Sequence, residues 1–401
     1  MKTVVILGAA DGSLPTYLAA RRLGYHTVGV DQNADACAVG LADEFLHVST
    51  REVSRIAAAL DGRTDLAGVL APASDIGLPT AQSLATRFDL PHPPEQVIAA
   101  SLDKAYFHAL CLELGLSSYR MVDGTDPAAL FQAASTLRLP VLAKPTDGTG
   151  GRGIRVCQTL ADLREALPAA LATSPTATAV VEEYVTGDHY TLEGFVSAGR
   201  LAFFAVTARA ITRPPHAVTT YHRLPSGLSP KLEGRFADMV ARVCQRLDYQ
   251  AGPVDVDAVV TARGSIEIIE MGARVGGSGL TDLVRHGTGV DVVAASVDTA
   301  VGLSPDLEPE RSARPASLTI LGADRVGTLT ATPGLAELRS MPELVELQVV
   351  VPSGARVAPY HQAAAKLGYA VLVADTTEQL NRAEQRMAGM NLFEITPGGD
   401  V

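Results

Sequence analysis

The stretch "KPTDGTGGRGI", residues 144–154, carries Gly148, Gly150 and Gly153 in the order G-x-G-x-x-G. That spacing marks dinucleotide-binding turns only when a strand precedes it and a helix follows, so that the pyrophosphate meets the helix N-terminus. Here the continuation "GIRVCQT" (153–159) alternates apolar and polar residues through Ile154, Arg155, Val156 and Cys157. Alternation is the period of a strand. The preceding "PVLAKP" (140–145) also reads as a strand, so the loop joins two strands. A glycine hairpin with a lysine on its first strand can lay backbone N–H groups over the phosphates of a nucleoside triphosphate. ATP suits this pattern better than NAD.

Upstream of the loop the chain alternates strand and helix. "TVVILGAA" (3–10), "HTVGVDQ" (26–32) and "LAGVLAPASD" (66–75) read as strands, with helical spacing at 14–24 and 77–90. Such alternation predicts a parallel sheet with helices on both faces, binding ligands at the carboxyl ends of its strands. Gly8, Gly12 and Asp31 stand where a nucleotide-binding turn and a ribose-binding acid would be, but "GAADGS" lacks the glycine order, which favours a structural layer. After "PHPP" (91–94) a helix over 101–116 and another near 127–137 lead into the glycine loop.

Bulk properties restrict the function. The 401 residues are 47% hydrophobic and 19% charged, the profile of a folded globular chain long enough for two or three domains. A net charge of −11 and a pI near 5.3 argue against sequence-independent nucleic-acid binding, which needs Lys and Arg to neutralise phosphates. Cys37, Cys111, Cys157 and Cys244 form no C-x-x-C pair, and are expected to be reduced thiols of a cytoplasmic protein. Polar Asp11 and Gly12 cut short the opening apolar run, which reads as a strand and not a signal peptide. No run approaches the roughly 18–20 apolar residues that span a bilayer, so no membrane role is expected.

Downstream, "GPVDVDAVV" (252–260) places Asp255 and Asp257 on one face of a strand, and "SIEIIE" (265–270) ends in Glu270. The tight reversal "ARG" (262–264) makes the two strands antiparallel neighbours, which would bring Asp257 and Glu270 together. Carboxylates in apolar strands are costly without a cation, and a hard oxygen pair suits Mg²⁺, with Mn²⁺ as the alternative.

With "AVVEEYVTG" (179–187), "YTLEGFV" (190–196) and "SIEIIEMGARVGGSG" (265–279), these features resemble the ATP-grasp superfamily of carboxylate–amine ligases, in the branch of L-amino acid ligases and biotin-carboxylase-like enzymes. The resemblance implies a mixed α/β and α+β chain: a Rossmann-like pre-domain over 1–100, a two-lobed ATP-grasp core over 101–300, and a small C-terminal α+β lobe over 301–401. It implies that Lys104 and Lys144 contact the nucleotide phosphates, that backbone N–H groups at Gly148, Thr149, Gly150 and Gly151 cover them, and that Glu182, Glu183 and Val185 form the adenine hinge. For the ribose it offers Asp188, His189 and Glu193, of which His189 is taken as the nucleotide contact. Asp257 and Glu270 become the metal ligands, Arg274 the contact to the substrate carboxylate or transferred phosphoryl group, and Arg213 the contact to the γ-phosphate. His216, His222 and Arg223 could help select substrate but stay outside the catalytic set. One departure stands out. The family motif E-x-N-x-R reads here Glu270-Met271-Gly272-Ala273-Arg274, so a metal-ligating Asn is missing, to be replaced by water, by Glu267, or by nothing.

The implied reaction joins a carboxylic acid to an amine, both small and amino-acid-like, through an acyl-phosphate, releasing ADP and phosphate. A homodimer is the assembly common among such enzymes. A bicarbonate-activating enzyme and a nucleotide-binding protein without turnover are the alternatives.

Overall fold

The apolar run at the N-terminus forms β1 (Thr3–Leu7), buried along its whole length. In the computed structural model, which describes residues 1–148 and 150–397, there follow α1 (Leu14–Arg22), β2 (His26–Asp31), β3 (Glu44–His47), α2 (Val53–Leu60), β4 (Leu66–Leu70) and α3 (Leu78–Arg87). The strands pair in parallel in the order β3-β2-β1-β4. Side chains alternate across β1. Val5 and Leu7 meet Ile56 and Leu60 of α2 and Leu78 and Leu84 of α3, while Val4 and Ile6 meet Tyr17 and Ala20 of α1. The predicted parallel layer is present. Its edge strand β3 went unread because "EFLH" is short and half exposed, with no apolar alternation.

The helix expected over 101–116 is two helices, α4 (Glu95–Leu102) and α5 (Lys104–Glu113). Asp103 separates them. Its carboxylate accepts from the N–H groups of Ala105 and Tyr106 at 2.9 and 3.0 Å, an N-cap that starts α5. Lys104 is thereby fixed as the first residue of a helix.

Next come β5 (Met121–Gly124), α6 (Pro127–Ala134), β6 (Val141–Pro145), β7 (Arg155–Cys157), α7 (Leu160–Thr173) and β8 (Ala179–Glu183), whose strands form an antiparallel sheet in the order β5-β8-β6-β7. Leu130, Ala134, Leu163 and Leu167 cover Val141, Ala143 and Val181 on one face. By alternation the opposite face carries Leu142, Lys144, Val180 and Glu182. The glycine loop therefore does connect two antiparallel strands, Val141 pairing with Cys157.

The remaining elements are β9 (Asp188–Ser197), β10 (Arg200–Ile211), β11 (Thr219–Leu224), α8 (Pro230–Arg246), β12 (Gly252–Val260), β13 (Ile266–Gly272), α9 (Leu280–Thr288), α10 (Val292–Ala300), β14 (Ala316–Gly322), β15 (Gly327–Ala331), α11 (Leu335–Arg339), β16 (Leu344–Val349), β17 (Arg356–Val357), β18 (Lys366–Val373), α12 (Thr377–Ala388) and β19 (Glu394–Thr396). Eight strands make one sheet in the order β13-β12-β9-β10-β11-β14-β18-β16. Phe236, Val240 and Val243 of α8 pack on Leu192, Val196, Val254 and Val256, together with Phe107 and Leu110 of α5. The C-terminal strands β14, β18 and β16 continue this sheet by direct pairing of β11 with β14, so the segment after residue 300 shares backbone hydrogen bonds with the core. Strands β15, β17 and β19 form a small separate sheet. Among the described residues no helix is long and apolar enough to cross a membrane.

Helix α10 joins the two halves of the chain: its Val293 and Val297 pack on the Val4 and Ile6 face of the N-terminal sheet. The contact is close at Gly68, where an added Cβ would lie 2.6 Å from the carbonyl oxygen of Ala300. A backbone atom cannot turn aside as a side chain can. Gly68→Ala is expected to cost about 1–3 kcal/mol through overpacking, and Gly40→Ala, with nothing within 4 Å of its Cβ, to change stability by less than about 0.5 kcal/mol. Urea midpoints measure both, and equal effects would contradict this account of the interface.

Candidate active site

Three parts of the chain converge on a cavity of about 770 Å³, whose wall includes Gly8, Asp31, Arg51 and Asp75 from the N-terminal layer. Arg209, Asp257, Glu270 and Arg274 line it from the core, and Tyr360 and Lys366 from the C-terminal segment. Over it lies the glycine loop. Gly150, Gly151 and Gly153 have φ of 68°, 78° and 69°, the left-handed region that glycine adopts without steric cost. At Gly151 a Cβ would also come within 2.8 Å of Val218. Ala363 N–H donates to the Gly150 carbonyl at 2.9 Å, and Val156 N–H donates to the Pro215 carbonyl at 2.9 Å, so the hairpin is tied to both neighbouring segments. The Lys104 ammonium donates to the Gly148 carbonyl at 2.9 Å. Thr149 lies outside the described residues.

Behind the loop, Lys144 and Glu182 form a buried ion pair of 2.8 Å between Nζ and Oε1. Burial holds the Glu182 carboxyl above its ordinary value, against the pull of Lys144. Its second oxygen, the Thr146 hydroxyl and both ring nitrogens of His108 are buried with no hydrogen-bond partner. Burial and the Lys144 charge push His108 down to about 4, keeping the ring neutral where it lies against Tyr119, tilted by 36° with centroids 4.4 Å apart. Unpaired buried polar atoms on this scale are expensive and suit a polar ligand that enters beside them. Glu183 points the other way. It accepts from the N–H groups of Arg138 at 3.0 Å and Arg120 at 3.4 Å, tying the end of β8 to the segments entering β5 and β6. Val185, half buried, follows β8. His189 is half buried on β9, pushed down to about 4 by burial and Arg209.

The acids come together as the strand reading expects, since Asp257 and Glu270 are direct partners in the β12–β13 ladder. Asp257 accepts from the Thr191 hydroxyl at 2.7 Å and contacts the Arg209 guanidinium. The Glu270 carboxylate, 45% exposed, lies 3.8 Å from Lys104 Nζ. The two acids are driven apart electrostatically. Burial raises Asp257 despite Arg209, whereas for Glu270 burial is outweighed by Lys104, Lys144, Arg209 and Arg274, which pull it down to about 2. No cluster of three or more His, Cys, Asp or Glu side chains among the described residues could hold a metal. The protein would therefore supply two carboxylates to a divalent cation, which fits Mg²⁺ completed by phosphate oxygens and water.

Arg274 is held by Asp255 on β12 and by Asp75 of the N-terminal layer, at 3.1 Å from Nε and 3.3 Å from Nη2. Arg213 is set apart. It is exposed in the turn after β10 and does not line the cavity. Arg209 does line it, anchored by donation from Nε to the Thr219 hydroxyl at 2.7 Å. Parity was the available signal: Arg209 shares a strand face with Thr207, whose hydroxyl meets the buried His222. Strand β10 ends at Ile211, so the alternation does not extend to Arg213. Glu193 accepts the Gly276 N–H with both oxygens, at 3.0 and 3.1 Å, which positions the turn after β13 instead of facing a ribose. Arg223 ion-pairs with Glu384 of α12 at 3.1 Å. His216 stacks on His361. Lys366, unread in the sequence, bridges Asp11 at 2.8 Å and Ser278 at 3.1 Å on the cavity wall.

Residues 137–282 match the ATP-grasp domain family, and residues 319–394 match the L-amino acid ligase C-terminal domain 2. The chain carries an ATP-grasp domain and an L-amino acid ligase C-terminal domain. It is an enzyme of the EC 6.3 class, which forms carbon–nitrogen bonds. The uncharacterized protein y4rH of Sinorhizobium fredii is 27% identical over 402 residues, covering 99% of this chain and 79% of that protein. A formate-dependent phosphoribosylglycinamide formyltransferase of Synechococcus is 28% identical over 191 residues, 47% of this chain and 49% of that one. In fold, the chain is similar to an L-amino acid ligase from Bacillus licheniformis, with a TM-score of 0.85, 18% identity, and coverage of 100% of this chain and 99% of that one.

The Lys144–Glu182 pair carries a pH-dependent prediction. Without its cation, a buried carboxylate must ionise unpaired or stay protonated, and its folded-state pKa rises further above the unfolded value of 4.5. An acid whose pKa is raised on folding loses stability as pH climbs past the unfolded value. Lys144→Met should therefore be only slightly destabilised near pH 4.5 and lose about 3–5 kcal/mol relative to the parent at pH 8. A stability deficit independent of pH would count against this.

Proposed function

We propose that this ATP-grasp ligase activates a small carboxylic acid as an acyl-phosphate and passes the acyl group to an amine, both substrates being amino-acid-like. The observation that carries the reading is the pairing of Asp257 with Glu270 beneath a glycine hairpin, where Lys104, Lys144, Arg209 and Arg274 all act on Glu270. The match of residues 319–394 to an L-amino acid ligase domain supports amino acids as substrates over bicarbonate.

In the first step a carboxylate oxygen attacks the γ-phosphorus of ATP, the bond to the β,γ-bridging oxygen breaks, and ADP leaves. In the second, the amine attacks the acyl carbon, phosphate leaves and the amine proton is lost. Magnesium between Asp257 and Glu270 would offset charge on the phosphate oxygens. Residues of the chain position and neutralise. Lys144 and the N–H groups of Gly150 and Gly151 hold the phosphates. The free oxygen of Glu182 and the backbone near Val185 take the adenine, with His189 toward the ribose. Arg209 and Arg274 face the transferred phosphoryl group, a task suited to a planar fork of donors. The hairpin, joined to Pro215 and Ala363, keeps water from the acyl-phosphate. The free thiols Cys37, Cys111, Cys157 and Cys244 support a cytoplasmic setting.

A screen of paired carboxylic acids and amines for ADP release, with mass spectrometry of products, tests the reading. Sustained ADP release should need both partners, with a condensed product one water lighter than their sum. Arg209→Ala should lower kcat/KM by roughly 10²–10³-fold, as for loss of a donor to developing charge. Arg213→Ala should stay within about twofold, as expected for an exposed residue that does not line the cavity. The reverse ranking, or unchanged turnover in Glu270→Gln, would reject the site.

A further inference from the structure

Position 272 presents a problem of space and not of backbone strain. Gly272 ends β13 and pairs with Asp255, two residues along the ladder from the Asp257–Glu270 pair. It is absent from the positive-φ glycines, so its conformation is open to any residue. A Cβ there, however, would lie 2.9 Å from Arg274 Cζ and 3.2 Å from both Nε and Nη1. The guanidinium fills the volume a side chain at 272 would take. Residues two apart in a strand share a face, so position 272 looks the same way as Glu270. Asp257, Glu270 and Asp255 thus make three corners of one patch, and the Arg274 guanidinium makes the fourth. It is fixed there by two carboxylates, Asp255 and Asp75. Glu267, the other acid of β13, is already committed to the N–H and hydroxyl of Ser118 at 2.8 and 2.7 Å, and does not turn toward this corner.

We propose that glycine at 272 exchanges a metal ligand for a seated guanidinium, so that the nucleotide is bound with one divalent cation, between Asp257 and Glu270, and Arg274 stands in place of a second. The inference rests on the ligase reading above. A second cation beside Asp255 would have to displace an arginine that makes charge-assisted hydrogen bonds to two acids, and it would meet like charge. The substitution also links the site to the N-terminal layer, because one of those acids is Asp75.

The test is the number of Mn²⁺ ions bound per full-length chain in the presence of a non-hydrolysable ATP analogue, counted by electron paramagnetic resonance. One tightly bound ion is expected. Two would overturn the inference while leaving the ligase reading intact, and no nucleotide-dependent Mn²⁺ at all would overturn both. Gly272→Asn should fold, as judged by its melting temperature, but displace Arg274 and lower ADP release on the order of 10²-fold, the cost of misplacing a reacting group. Full turnover in that variant would contradict the proposal. Gly272→Asn combined with Arg274→Ala clears the corner and should raise the count from one ion to two. A count still at one would show that the guanidinium is not what excludes the second ion.

Discussion

Asp257 and Glu270 face each other across an antiparallel ladder at one edge of a sheet whose opposite face packs on an apolar core. Two carboxylates in register repel, and burial raises the cost of charging either one. Much around them is arranged to offset that cost. Arg209 leans on Asp257 and Lys104 approaches Glu270, each from a different element. The result is a split pair, one acid raised and the other pulled down to about 2 by Lys104, Lys144, Arg209 and Arg274. A polyanion with a divalent cation completes such a site.

The same electrostatics explain why the domains meet where they do. Asp75 comes from a loop after β4 and reaches the core to hold Arg274, while Lys366 comes from β18 and reaches back to Asp11. Each crossing is an ion pair on the wall of one cavity, so the substrate space is built from three segments distant in sequence. Beneath them the apolar contact of α10 with the N-terminal sheet supplies the non-directional part of the interface.

Much of this was readable from local pattern. The alternation after Gly153 distinguished a strand hairpin from a dinucleotide turn, and period-two spacing around Asp255 and Asp257, with the reversal at 262–264, anticipated a ladder with Glu270. What was not readable is instructive. Glu182 and Glu183 are adjacent and chemically alike, yet one faces Lys144 and the other binds the backbone of Arg120 and Arg138. Arg209 lines the cavity and Arg213 does not, because β10 ends at Ile211 between them.

By itself the sequence determined the strand–helix alternation of the first hundred residues, the hairpin nature of the glycine loop, and which acids share a strand face, because these depend on periods of two and 3.6 residues along the chain. Only the tertiary structure decided what meets across elements: Asp75 with Arg274, Lys366 with Asp11, and the guanidinium lying over Gly272. The Asp75–Arg274 contact alone joins residues 199 positions apart. Their geometry follows from how sheets stack and helices dock, information that a one-dimensional pattern does not hold.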